Sequence, residues 1–96
     1  MIADKKTQVA PAVDEHVEIL SGLIRVLVDE PDGVHVSPVC GSRSVIFEVE
    51  VCREDVRRLI GRKGRTADAI REILFNLGAR YGWRYNLEVV EPPPHS

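Results

Sequence analysis

The chain has 96 residues, a hydrophobic fraction of 44% and a charged fraction of 29%, values that suit one globular domain able to fold without disulfides or a structural metal. Its net charge is only -2, and no apolar run approaches the ~18 residues that a membrane-spanning helix needs. The polar N-terminal segment lacks the apolar core of a secretory signal, and the two cysteines do not form a C-x-x-C pair, so we expect a protein of the reducing cytoplasm.

The two ends of the chain are predicted to be tails. Residues 1–10 are polar and give no periodic pattern, which indicates a flexible N-terminal segment. Residues 92–96 begin with three prolines, which cannot continue a helix or a central strand. The sequence therefore predicts a single folded domain over residues 11–91.

The first predicted element is a helix that starts near residue 11 or 12 and extends to Glu30. Apolar side chains recur along it at spacings of three and four residues, namely Val13, Val17, Leu20, Ile24 and Leu27. This spacing places them on one helix face. Pro31 and Gly33 are expected to end the helix.

Two strands are predicted next, because apolar and polar residues alternate. Val34 and Val36 begin the first strand, and Pro38 favours an edge position in the sheet. A turn is expected at residues 40–42. The second strand has one apolar side, formed by Val45, Phe47, Val49 and Val51.

A short helix at about residues 54–60 and a longer one from about Thr66 follow, with four residues, Gly-Arg-Lys-Gly, between them. Thr66 is a suitable N-cap, and Gly82 a suitable C-terminal stop. Gly78 lies inside the longer helix, where glycine costs ~1 kcal/mol relative to alanine. The apolar stripe of that helix comprises Ala67, Ile70, Ile73 or Leu74, Leu77 and Tyr81.

The last element is a strand in which Trp83, Tyr85, Leu87 and Val89 share one side. The element order is therefore α-β-β-α-α-β, which predicts an α+β fold. A tight turn makes the first two strands antiparallel, and a right-handed helical crossover lays the last strand parallel to the second. We expect a three-stranded mixed sheet with all three helices on one face.

Positive charge is concentrated in one segment of the chain. Residues 57–71 contain six basic residues and one acidic residue, a local charge of +5 on a chain whose total is -2. This asymmetry favours a polyanionic partner, although a solvated helix face would give the same pattern.

The segment Gly61-Arg62-Lys63-Gly64 is the candidate binding site. Glycines without Cβ atoms let a sugar-phosphate chain approach the backbone closely. The helix that follows presents free amides and partial positive charge at its first turn. Arg62 and Lys63 can neutralise phosphates, and further contacts are expected from Arg57, Arg58, Arg65 and Thr66. A plain connector between two helices is the alternative.

Bases of a bound strand would lie over an aliphatic groove beside these helices. Val56, Ile60 and Ile70 could line that groove, but they could equally belong to the core. Four aromatic side chains could stack on bases, and core packing is the better interpretation for them: Phe47, Phe75, Trp83 and Tyr85.

Catalysis and metal binding have no support in the sequence. Glu48 and Glu50 share one strand face, but that face is predicted to be wet and to have no pocket. The three histidines are scattered without ligand spacing, and no serine has a histidine and an acid in a recognisable order. We predict no enzyme activity, no cofactor and no metal.

The segment from Val56 to Ala67, "VRRLIGRKGRTA", resembles the signature of KH domains, in which an apolar-Ile-Gly-x-x-Gly run joins two helices. The element order resembles the type II KH arrangement. More narrowly, "IGRKGRTADAIR", the preceding "EVEVCREDVRRL" and a first helix ending in Asp-Glu-Pro resemble the small bacterial single-KH family called KhpA or YlqC-like. The similarity covers about residues 14–91.

This resemblance implies a cytoplasmic protein that clamps single-stranded RNA with little sequence specificity, about four nucleotides at a time. It implies pairing with a second KH protein of the KhpB or Jag-like kind, or with a second copy of the chain. Members of the family are regarded as RNA chaperones or post-transcriptional regulators, linked in some bacteria to cell-wall homeostasis and cell shape.

Two other interpretations stay open. The KH fold could serve mainly as a protein-interaction or dimerisation module with little RNA binding of its own. Single-stranded DNA could also replace RNA, because a backbone clamp reads phosphates more than bases.

Overall fold

The computed structural model describes residues 10–91, and the predicted tails at residues 1–10 and 92–96 lie outside that range except for Ala10. Three α-helices and three strands follow the predicted order: α1 (Val13–Leu27), β1 (His35–Gly41), β2 (Ser44–Glu50), α2 (Val56–Ile60), α3 (Arg65–Ala79) and β3 (Arg84–Val90). Short 3-10 turns lie between some of them, at Pro31–Gly33, Arg53–Asp55 and Arg62–Gly64.

The strands form one mixed sheet in the order β1-β2-β3. β1 is antiparallel to β2, and β3 is parallel to β2, so Phe47 pairs with Pro38 on one side and with Leu87 on the other. Pro38 therefore lies in an edge strand, as predicted, where its missing amide removes no central hydrogen bond. The predicted α+β class and mixed sheet are confirmed.

All three helices pack on one face of this sheet, where the core lies. Phe47 is fully buried and meets Tyr85 edge-on, with 4.9 Å between the ring centroids. Both rings are thus core residues, as the sequence favoured. The rest of the core comes from both layers and from the segments between them: Leu20, Ile24, Val28, Val34, Val45, Val49, Val51, Leu59, Ala67, Ile70, Leu74 and Leu87.

A buried polar contact joins the first helix to the last strand. Nδ1 of His16 lies 2.8 Å from the hydroxyl of Tyr85, and both side chains are buried. Burial, together with the neighbouring Tyr81 and Cys40, raises the pKa of Tyr85 to about 12. The hydroxyl therefore stays protonated at neutral pH and remains available as a hydrogen-bond partner.

The structure differs from the sequence prediction at several element boundaries. α1 ends at Leu27 rather than Glu30, because Val28 is extended and its side chain is buried. The β1–β2 ladder runs to the Gly41–Ser44 pair, so the turn is at residues 42–43 rather than 40–42. Arg43 closes this turn with a φ of 58°.

Gly78 is required where α3 packs on β3. A Cβ at this position would lie 2.8 Å from Cγ of Tyr85 and 2.9 Å from the carbonyl oxygen of Trp83. Glycine therefore lets the helix approach the strand, and the tight packing explains a residue that helix propensity alone disfavours.

Candidate nucleic-acid interface

The Gly-Arg-Lys-Gly segment begins where Gly61 ends α2. The amide of Gly61 donates to the carbonyl oxygen of Arg57 at 2.9 Å, and its φ of 83° then turns the chain out of the helix. A Cβ on Gly61 would lie 2.8 Å from the amide nitrogen of Thr66 and would overlap its side chain. Both the dihedral angle and the close approach exclude other residues here.

The next residues form a tight left-handed turn. Lys63 and Gly64 have φ values of 57° and 76°, and the amide of Gly64 donates to the carbonyl oxygen of Gly61 at 3.0 Å. Glycine adopts this conformation without a steric cost, whereas a lysine does so rarely. The turn leaves the Arg62 and Lys63 side chains exposed at its tip.

Helix α3 starts directly after this turn. Gly64 occupies the N-cap position and has no side chain to accept hydrogen bonds from the first turn, so the amides there lack a side-chain acceptor. Thr66, predicted as the N-cap, is instead the second residue of the helix. The positive end of the helix dipole thus lies beside the two basic side chains of the turn.

The basic side chains around the turn divide into free and engaged groups. Within residues 10–91 no carboxylate forms an ion pair with Arg57, Arg62, Lys63 or Arg65, and all four side chains are exposed. An unpaired cation at the surface can neutralise a phosphate without first breaking a contact. These four residues therefore form the positive surface of the candidate site.

Arg58 differs from these four residues because it has structural partners. Its guanidinium contacts a carboxylate oxygen of Asp29 at 2.8 Å and one of Asp55 at 3.4 Å. These contacts link α2 to the segment after α1. They give Arg58 a structural role, and its contact with RNA stays a prediction.

Asp55 is the centre of this network. Its carboxylate is 1% exposed and accepts hydrogen bonds from the amides of Asp29 at 3.1 Å and Glu30 at 2.9 Å. Burial acts to raise the pKa of Asp55, but these two amides and the guanidinium of Arg58 outweigh it and hold the pKa below its ordinary value. The ionised carboxylate thus fixes the start of the short helix that leads into the glycine turn.

We expect Asp55→Asn to lower the free energy of unfolding at neutral pH. The difference in unfolding free energy between this variant and the parent should shrink as the solution is acidified. Because the folded pKa is lowered, ionised Asp55 stabilises the fold above its ordinary pKa of 3.8, and this contribution is lost as the pH falls through the lower folded value. Urea unfolding at a series of pH values measures it. Asp32→Asn, at an exposed position, is the matched control, and a difference that stays constant down to the acid limit would contradict the role of Asp55.

The three predicted groove residues differ in burial. Ile70 is 4% exposed and packs in the core, and it also borders a small apolar hollow between α1 and α3. Val56 and Ile60 are the first and last residues of α2; both are half-buried, and Val56 packs against the core. Ile70 is therefore a core residue, and contact of these three residues with bases stays a prediction.

A groove that the sequence did not predict runs on the other side of α3, along the free edge of β3, and we call it the β3-edge groove. It consists of two hollows of about 550 and 480 Å³ that share Phe75 and Arg84. The first is also lined by Asp68, Arg71, Glu72, Tyr85 and Asn86. The second continues past Ala79 to Ser42, Arg43, Ser44, Gly82 and Trp83.

Phe75 lines this groove, although the sequence interpretation placed it in the core. Its side chain is 57% exposed, whereas Phe47 and Tyr85 are buried. A signal was present, because Phe75 falls outside the apolar stripe formed by Ala67, Ile70 and Leu74 on α3. An exposed aromatic ring in a groove is a surface on which a base can stack.

Comparison with known proteins identifies the family to which this chain belongs. A model of the KhpA/KhpB KH domain matches residues 17–89. This range contains the glycine turn, all of α2 and α3, and α1 from residue 17 onward. The chain belongs to the KhpA/KhpB KH-domain family. The resemblance noted from the signature segment is thereby confirmed, and the fold is that of this family.

Several relatives are named "RNA-binding protein KhpA". The protein from Chlamydia pneumoniae is 38% identical over 74 residues, 77% of this chain and 95% of the relative. Those from Borreliella burgdorferi and Listeria monocytogenes are 36% and 32% identical, over 78% and 77% of this chain and 92% and 97% of their own lengths. No solved structure gives a significant match.

Between residues 10 and 91, no three His, Cys, Asp or Glu side chains are grouped so that they could hold a metal ion. In the same range no helix combines the length and apolar character needed to cross a membrane.

Proposed function

We propose that this chain binds single-stranded RNA by holding the sugar-phosphate backbone at the Gly61–Gly64 turn. The main support is a set of exposed cations around the glycine turn that have no ion-pair partner among residues 10–91. The helix that follows this turn starts without a side-chain cap. The name of the KhpA relatives supports RNA as the polyanion. Arg62 and Lys63 contact phosphates, and Arg57 and Arg65 extend the positive surface on either side.

The bases then lie away from the turn, along the β3-edge groove. Phe75 offers an exposed ring for stacking, and stacking tolerates every base. The proposed contacts are thus mainly to backbone and to base faces, which gives affinity with little sequence preference.

The cellular role that we propose is that of an RNA chaperone or post-transcriptional regulator in the cytoplasm, without catalytic activity of its own. In this role it acts with a second KH protein of the KhpB kind or with a second copy of itself, and in some bacteria it affects cell-wall homeostasis and cell shape. A dimer would bring two glycine turns onto one RNA and increase avidity without new contacts.

Calorimetric titration with a mixed-sequence RNA of about four nucleotides tests the binding itself. We expect weak, micromolar-class affinity and a slope of log K against log salt near -2, as about three phosphate contacts predict for a single strand. A DNA strand of the same sequence shows whether the 2′-hydroxyls contribute. Affinity that does not change with salt would contradict a phosphate clamp.

A second candidate function is protein association through the helical layer. Four apolar side chains of α1 and α3 are exposed on this layer: Ile19 (69%), Leu23 (41%), Val26 (82%) and Ile73 (60%). Such an apolar surface is typical of an interaction site. A stable dimer by light scattering, together with no RNA signal in the titration, would favour this candidate over RNA binding.

A further inference from the structure

We propose that Arg43 and Arg84 form a second phosphate-binding point at the far end of the β3-edge groove, so that the chain holds an RNA strand at two points rather than one. This inference rests on the proposed function of the glycine turn and adds a site at the opposite end of α3. Its ligand is a phosphodiester of the same strand, beyond the nucleotides held at the turn.

The two arginines are brought together by the backbone. Arg43 lies in the β1–β2 turn with a φ of 58°, and its carbonyl oxygen accepts a hydrogen bond from the amide of Arg84 at 2.9 Å. The guanidinium of Arg43 extends towards Gly82, because its Nη1 lies 3.8 Å from the position that a Cβ on Gly82 would occupy. Both arginines line the same 480 Å³ hollow.

Both guanidinium groups are available for a ligand. Across residues 10–91 neither has a carboxylate partner, and both side chains are exposed. Arg71, between them and the glycine turn, is different: it contacts Asp68 at 3.0 Å and donates to the carbonyl oxygen of Leu87 at 3.1 Å. Free cations therefore occur at the glycine turn and, beyond the engaged Arg71, at Arg43 and Arg84.

The part of the groove between the glycine turn and Arg43 suits a base better than a phosphate. Glu72 places a carboxylate there and Phe75 an exposed ring, whereas Asp68 lies at the turn end, close to Gly64, and is paired with Arg71. α3 has 15 residues, so about 22 Å of helix separates the glycine turn from the end that lies beside Arg43 and Arg84. A strand must extend past the turn to reach both.

The test compares mixed-sequence RNAs of about four and about eight nucleotides on the folded chain. Arg43→Asn removes the charge while keeping a residue that tolerates the left-handed conformation. Arg84→Gln removes the other charge without altering the turn residue. Arg25→Gln, at an exposed site on α1, is the matched loss of one charge elsewhere.

We expect Arg43→Asn and Arg84→Gln each to weaken binding of the longer RNA by about three- to tenfold and to make its salt slope shallower by ~0.7, the value for one contact on a single strand. Binding of the shorter RNA should be weakened less than binding of the longer one in both variants. Equal affinities of parent and variants for the longer RNA, or an equal loss in Arg25→Gln, would overturn the second phosphate point. If the parent binds neither RNA, the proposed function fails, and this inference fails with it.

Discussion

An Arg62→Asp, Lys63→Asp double variant is expected to lose measurable RNA binding and to keep its fold. Both side chains are exposed at the tip of the glycine turn and have no ion-pair partner in the described part of the chain, so their replacement breaks no internal contact. The two proposed phosphate contacts would be lost, and two negative charges would stand where the proposed RNA backbone lies. We expect affinity at low salt to fall by more than ~100-fold.

Aspartate suits this experiment because residue 63 has a φ of 57°, a conformation that aspartate tolerates better than most residues. Binding is followed by titration and the fold by circular dichroism and thermal unfolding. Arg25→Glu, an exposed charge reversal on α1, is the control and should bind RNA nearly as well as the parent. Full RNA binding by the folded double variant would remove the turn from the binding mechanism.

Gly78→Ala is expected to destabilise the fold by ~1–2 kcal/mol, although alanine is the better helix former. The added Cβ would lie 2.8 Å from Cγ of Tyr85 and 2.9 Å from a backbone oxygen, so helix and strand must separate. Tyr85 is itself buried against Phe47 and hydrogen-bonded to His16, which leaves its ring little freedom to move.

Gly22→Ala is the matched control for this prediction. Gly22 also lies inside a helix, but a Cβ there meets nothing within 4 Å. This variant should therefore gain up to ~1 kcal/mol from helix propensity alone. Urea unfolding of the two variants and the parent measures both effects. A stabilised Gly78→Ala protein would show that the contact between α3 and β3 is loose.

The fold was largely predictable because apolar periodicity and local breakers agree along this chain. The alternation at Val45, Phe47 and Val49 identified the central strand, and its buried side is the one expected. Element ends were less predictable, because they depend on tertiary contacts. Val28 leaves α1 to enter the core, and no local pattern marks that change.

The candidate site was only partly predictable for the same reason. The glycine turn was evident from the sequence, because both glycines and both cations are contiguous. Which cations are free was not, since the partners of Arg58 are Asp29, 29 residues earlier in the chain, and the buried Asp55. The β3-edge groove likewise joins α3 to a hairpin turn and a strand that only the folded chain brings together.

An NMR titration of the labelled chain with single-stranded RNA at low ionic strength locates the binding surface directly. If RNA is held at the glycine turn, the amide resonances from Gly61 to Thr66 shift first and furthest, and the shifts diminish as salt is added. Resonances of that turn that stay in place, while those of another surface move, would contradict RNA binding at the turn.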